Sequence, residues 1–228
     1  MGGRGLPAQI GASGSNESGK DIKYDAKAVG KALSYYIQQH RDAPIENGYA
    51  LTRDGRQISA SKGDETSVHI YGSTDHISVH NHPKQPSGYD GGPFSDADVR
   101  LAIYRNEYMS VAFDQSRVYI LKKIGWKEGD RPLDATFAMK YKAYADKSYD
   151  RAQKITTRLY NEGAFKKENG LTDWKKYEQS NTKEWFRMLR SWLKSNSKKY
   201  GFEYHEHKIS EKDKTKRTKE PKKFVGIL

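Results

Sequence analysis

His80-Asn81-His82-Pro83, followed by Ser95-x-x-Asp98, is the part of this chain whose residue types and spacing could do chemistry. On an extended strand side chains alternate, so His80 and His82 project to the same side. Two imidazoles at a strand end can grip one small cation, and Pro83 stops further ladder pairing just there. Ser95 is a good helix N-cap, which places Asp98 one turn into the following helix, able to face back toward the strand end. His, His and Asp make three ligands and leave a fourth position for water, as in an open catalytic zinc site; such a zinc brings the pKa of its water toward ~7. The chain has no cysteine. That removes disulfides, thiolate ligands and cysteine nucleophiles, and leaves histidine and carboxylate as the metal donors. Each piece has an ordinary explanation when taken alone. His-x-His fits two surface histidines, and Ser95 with Asp98 fits a capping box with a shortened acid. Their order and combination are far more specific than either part.

In that order, His80-x-His82, a loop, then Ser95-x-x-Asp98 resembles the H-x-H…S-x-x-D motif of the JAMM/MPN+ (JAB-type) zinc metallopeptidases. The His-Asn-His-Pro and Pro-Phe-Ser-x-x-Asp wording looks most like JAB-type domains of phage head and other mobile-element proteins. The resemblance covers about residues 44–121, with Ile45-Glu46-Asn47-Gly48-Tyr49, a strand, Asp54-Gly55 and a Lys-Gly turn preceding the histidines. It implies an α/β (α+β) fold of the JAB/MPN-like, cytidine-deaminase-like kind, a mixed sheet with flanking helices. It implies that His80, His82 and Asp98 bind Zn2+, that an upstream glutamate is the general base, and that Ser95 stabilises the tetrahedral oxyanion. Glu46, immediately before the first predicted strand, is the preferred base; Glu65 is the rival, closer in sequence to His80 but in a turn. The implied activity is a zinc-dependent, JAMM-type metalloprotease or isopeptidase, phage or mobile-element encoded, acting on a protein or protein-conjugate substrate. The chain departs from the family pattern at one place. His82 and Ser95 lie 13 residues apart, several more than usual. The extra stretch, Gln85 to Gly92, is either an inserted loop over the cleft or the mark of a site no longer held in working geometry. Two rival readings stand beside the hydrolase. One is an inactive JAB-like scaffold that docks nucleic acid or an acidic protein through its basic C-terminal half. The other is a zinc nuclease.

The elements that must position these residues follow from periodicity. Val29, Leu33, Tyr36 and Ile37 predict a helix over 24–41. Asp54-Gly55 splits two runs carrying Tyr49, Leu51 and Ile58 into a hairpin. Strands are expected at Ser67–Tyr71, His76–His80, Tyr108–Phe113 and Arg117–Leu121, with a helix from Ser95 to about Asn106. Two long amphipathic helices follow, broken at Asn169-Gly170; their aromatic stripe, with Trp174, Tyr177, Trp185 and Trp192, reads as core rather than as a nucleic-acid platform. His69 and His76 match no motif position, and His205-Glu206-His207 lacks a following Ser-x-x-Asp and suits a solvated strand or loop.

The resulting organisation is a disordered Gly/Ser-rich leader over 1–22, a JAB-like metal-binding domain over 23–125, a helical extension over 126–207 and a basic disordered tail over 208–228. The net charge is +12, and the segment from Lys208 contributes eight Lys/Arg against three Asp/Glu. Such a tail favours nonspecific nucleic-acid contact. Mean hydropathy is −0.99. No apolar run approaches a membrane span, so no membrane contact is expected and a cytoplasmic site, host cytoplasm or virion for a phage protein, is the default.

Overall fold

Why three of the strands are buried on both faces becomes clear once their neighbours are placed. The computed structural model describes residues 22–71, 76–127 and 135–209; the expected leader and tail lie, except for their innermost residues, outside the described residues. In chain order the elements are α1 (Ala26–His40), β1 (Asn47–Leu51), β2 (Gln57–Lys62), β3 (Ile77–Asn81), α2 (Asp96–Tyr104), β4 (Met109–Phe113), β5 (Arg117–Lys123), α3 (Thr136–Asn161), α4 (Trp174–Asn196) and β6 (Phe202–Lys208). The strands form one α+β mixed sheet in the order β2-β1-β3-β4-β5-β6. β3 and β4 run parallel, and every other neighbouring pair is antiparallel. β1, β3 and β4 are buried along their whole length, as strands covered on both faces must be.

Alternation sorts the strand residues between two cores. Tyr49, Leu51, Ile77, Val79, Met109, Val111, Phe113, Val118 and Ile120 meet Val29, Leu33, Tyr36 and Ile37 of α1. Those four recur at helical spacing, and Asp25 caps the helix by accepting the Lys27 and Ala28 N–H groups. Ala112, Tyr119 and Leu121 face the other way, onto Val99, Ala102 and Ile103 of α2, Phe137 and Tyr141 of α3, and Phe186, Leu189 and Leu193 of α4. Burying one such large side chain contributes about 1.5–3 kcal/mol. Truncating the fully buried Leu33 to Ala would therefore cost about 2–5 kcal/mol once the cavity is included. β6, from beyond the two long helices, adds to β5 and extends the same sheet.

The expected strand at Ser67–Tyr71 is absent: these residues carry no strand pairing. Asp64 accounts for it. Its Oδ1 accepts the Thr66 and Ser67 N–H groups at 2.7 and 2.8 Å, and its own N–H donates to the Ser67 carbonyl at 2.9 Å. This turn takes the Thr66 and Ser67 donors at the start of the segment. Ile70 then packs over Gly48, where a Cβ would meet it at 2.5 Å. The aromatic stripe also divides. Trp185 and Trp192 pack against the second core, whereas Trp174 stays exposed.

Candidate metal centre

The parallel pair β3–β4 is where the two histidines emerge. In sheets of this kind a ligand site forms outside the carboxyl ends of parallel strands. Ile77 and Val79 face α1, which leaves Ser78 and His80 on the α2 side. His82 keeps the strand direction for one further step, its N–H donating to the Phe113 carbonyl at 2.7 Å. Asn81 closes the edge between the two histidines. Its Oδ1 accepts the Asn47 N–H at 2.7 Å, and its Nδ2 donates to the Ile45 carbonyl at 2.9 Å. The middle residue of His-Asn-His thus clamps the segment that carries Glu46 alongside the histidines.

Asp98 arrives from α2. Its Oδ1 lies 3.4 Å from His80 Nε2 and its Oδ2 lies 3.5 Å from His82 Nε2; the two Nε2 atoms are 2.9 Å apart. The capping box forms as well: Ser95 Oγ accepts the Asp98 N–H at 3.2 Å, and Asp98 Oδ2 accepts the Ser95 N–H at 2.6 Å. Capping and cation binding are therefore not rivals for this residue. The cap fixes the carboxylate with an oxygen left toward the histidines. Both histidines are buried, and the Asp98 side chain retains 17 % exposure.

The electrostatics favour positive charge at the point where these groups meet. Burial opposes a charged His82, but the Asp98 hydrogen bond and charge, the Glu46 charge and the Gly92 carbonyl together raise its pKa to about 9. Burial likewise opposes a charged Asp98, yet His80 and His82 hold it well below the usual carboxylate range. Without a metal, a proton on His82 supplies the charge that a cation would bring.

The long interval between His82 and Ser95 is anchored at several points. His82 Nδ1 donates to the Gly92 carbonyl at 2.9 Å, which turns Nε2 toward Asp98. The Gly92 N–H donates to Asp114 Oδ2 at 3.1 Å, and Tyr119 Oη donates to the same oxygen at 2.7 Å. The Gly91 N–H donates to Gln115 Oε1 at 3.1 Å, while Gln115 Nε2 donates to the His82 and Arg41 carbonyls. From the other side, Gln179 of α4 donates to the Ser87 carbonyl at 3.0 Å, and Phe186 packs where Gly92 has no Cβ. The residues between His82 and Ser95 form a loop tied to the β4–β5 turn and to α4, and His80, His82 and Asp98 converge.

Of the two candidate bases, Glu46 is 8 % exposed and its charge acts on His82, whereas Glu65 is exposed in the turn after Asp64. Ser95 sits at the mouth of α2 with its hydroxyl proton uncommitted to the cap, since its oxygen accepts there. Sequence reasoning missed Glu107. It is buried, its Oε2 accepts the Ser78 hydroxyl proton at 2.6 Å, and Ser78 also reaches Ser110. Burial pushes the Glu107 pKa up to about 7, against the opposing pull of Ser78, Arg105 and His80. The one local signal was Asn106, which takes φ 51° at the end of α2. Its N–H donates to the Ile103 carbonyl and the Glu107 N–H to the Ala102 carbonyl, a paired helix ending that turns Glu107 inward. His76 is buried and His69 exposed. His205 and His207 lie on β6, partly buried.

Among the described residues, His80, His82 and Asp98 are the one group of histidines and carboxylates close enough to hold a metal ion, with ligand atoms within 4.8 Å of one another. Also among them, no helix is long and apolar enough to cross a membrane. No family model, curated protein or solved structure matches the chain.

Proposed function

We propose that the chain is a zinc-dependent hydrolase of the JAMM/MPN+ kind that cleaves a peptide or isopeptide bond. The observation that carries this reading is the convergence of His80 Nε2, His82 Nε2 and the Asp98 carboxylate beside Ser95 and Glu46. Zinc bonds of about 2.0–2.1 Å in a tetrahedron put ligand atoms roughly 3.3 Å apart. The histidine-to-carboxylate distances of 3.4 and 3.5 Å, one to each oxygen, lie near that spacing; the two Nε2 atoms, 2.9 Å apart, would have to spread slightly on binding, and the donor set holds no thiolate. A zinc ion held there would supply a Lewis acid for the scissile carbonyl and acidify a water.

The chain's own groups supply the proton traffic. Glu46 accepts a proton from the attacking water as the C–O bond forms, then returns it to the leaving amine as the C–N bond breaks. The Ser95 hydroxyl donates to the oxyanion, because its oxygen is already engaged by the Asp98 N–H. Asp114 and Gly92 keep His82 in the tautomer that presents Nε2.

The test is metal analysis of protein purified without chelators, followed by a screen of peptide and ubiquitin-like conjugate substrates. About one zinc per chain is expected, lost in His80→Ala, His82→Ala and Asp98→Ala, with hydrolysis lost in parallel. A wild type with no zinc would sink the reading. Stoichiometric zinc with no cleavage across the screen would instead mark a metal-stabilised binding scaffold.

A further inference from the structure

The sixteen Lys/Arg and seven Asp/Glu between Thr136 and Tyr200 give the α3–α4 hairpin a net +9 out of the chain's +12. Some of the acids are already engaged. Asp146 pairs with Lys142, Glu162 with Arg158 and Glu184 with Arg187, while Asp173 caps α4. Lys166, Lys167, Lys175 and Lys176 at the tip are all exposed, and none has an ion pair among the described residues.

Amid these lysines the tip exposes aromatic faces. Tyr160 and Trp174 stack with centroids 5.6 Å apart and planes 20° from parallel. Tyr177 meets Trp174 edge-on at 5.8 Å, and the buried Phe165 supports Tyr177 from below at 5.5 Å. Trp174 is 60 % exposed. The hairpin does not need that indole for its core, which Phe186, Leu189 and Leu193 supply with Trp185 and Trp192. Beside the stack, Tyr160, Asn161, Phe165, Lys166 and Thr172 line a cleft of about 220 Å³.

We infer that the tip of the α3–α4 hairpin, centred on the Tyr160–Trp174 stack, binds single-stranded nucleic acid. Phosphates meet the exposed lysines, and an unpaired base stacks on the open indole face. A duplex keeps its bases inside the stack and would use only the charge. An acidic polypeptide would use the lysines and leave the indole idle. The exposed, pre-stacked aromatic pair therefore selects the single strand, and this inference does not depend on hydrolase activity.

The experiment uses the full chain and a fluorescent 20-nucleotide oligo(dT), with a duplex of equal length and polyglutamate as comparison probes, read by anisotropy over a series of salt concentrations. Trp174→Ala should lower oligo(dT) affinity roughly tenfold, within the range of one lost base–aromatic stack. Its salt slope and duplex affinity should stay near wild type, and Trp174→Phe should restore most of the loss. Replacing Lys166, Lys167, Lys175 and Lys176 together by Ala should flatten the salt slope by about 2–3, since each single-strand phosphate contact contributes roughly 0.7. Circular dichroism checks that each variant folds. Unchanged oligo(dT) affinity in Trp174→Ala overturns the inference, as does wild-type binding to duplex that equals or exceeds binding to oligo(dT). Polyglutamate that displaces the oligonucleotide as well as unlabelled oligo(dT) does would also overturn it and make an acidic protein the partner.

Discussion

Gly91→Ala perturbs the candidate metal site without changing the identity of any of its three residues. An added Cβ at Gly91 would lie 2.2 Å from the His82 carbonyl oxygen, 2.5 Å from His82 Cβ and 2.6 Å from its carbonyl carbon. Close C–H···O contacts begin near roughly 3.3 Å, so the loop and the end of β3 must separate by about 1 Å. Neither side can yield cheaply. His82 is tied to β4 through its N–H bond to Phe113, and Gly91 is tied to Gln115. The overpacking should cost about 1–3 kcal/mol, which for a chain of this size lowers Tm by roughly 2–12 °C. The same displacement carries the Gly92 carbonyl away from His82 Nδ1, 2.9 Å distant in the wild type. Loss of such an outer-shell partner weakens metal affinity by about 10- to 100-fold. Thermal melts with and without zinc, together with zinc affinity from chelator competition, read both effects. Gly125→Ala, where an added Cβ meets nothing within 4 Å, controls for a Gly→Ala change without overpacking; its φ of 63° adds a backbone strain that Gly91 lacks, and its zinc affinity should still match wild type. Zinc affinity within twofold of wild type in Gly91→Ala would refute the reasoning that the loop sets His82.

Chelation of zinc-loaded wild type should lower Tm, because ligand at 1,000 times Kd stabilises by about 4 kcal/mol; Asp98→Ala should show no chelator response in the same melts. Glu46→Gln should abolish hydrolysis while zinc content and Tm hold, and Glu65→Gln should leave turnover near wild type; full activity in both would remove the upstream-glutamate mechanism. Burial, helped by the Arg105 charge, depresses His76 from 6.5 to about 4. Its neutral form therefore contributes stability that is present above pH 6.5 and lost as pH falls toward 4, about 3 kcal/mol in all. Urea midpoints at pH 7 and pH 4.5 should fall further in wild type than in His76→Gln, and equal falls would count against a buried neutral His76.

How much of this was readable in the sequence depends on whether the signal was local. Helix α1 declared itself through four apolar residues at helical spacing, and β3 through alternation that ran into Pro83. The candidate ligand set was equally local in kind. His80 and His82 share a strand end, and the Ser95 cap fixes where Asp98 begins its helix. Ser67–Tyr71 has β-branched and aromatic residues suited to a strand, but Asp64 spends the neighbouring donors in a turn, and propensity alone does not register that competition. Glu107 was out of reach for another reason. Its burial follows from a helix ending at Asn106 and from contact with Ser78 of β3; an Asn can mark where a helix stops, but nothing around an isolated acid says that the chain then turns it inward. Trp174 was read as core because it shares a stripe with Trp185 and Trp192; helical periodicity assigns a face, whereas the end of the helix decides whether anything covers it.

The long His82–Ser95 interval illustrates the same division between local and distant causes. Twelve intervening residues with three glycines read as slack that could ruin a metal site. The tethers that remove the slack lie elsewhere in the chain: Asp114 and Gln115 at the β4–β5 turn, and Gln179 and Phe186 on α4. Asp114 is well suited to the task. It is almost fully buried, and its two oxygens accept from the Ser116 and Arg117 N–H groups, the Ser116 and Tyr119 hydroxyls and the Gly92 N–H. A buried carboxylate with that many donors cannot shift without leaving several of them unsatisfied, each at about 1–3 kcal/mol. Gly92 inherits that rigidity through its N–H and passes it through its carbonyl to His82. The loop's length therefore sets how far the chain travels between ligands, while the β4–β5 turn sets where His82 points.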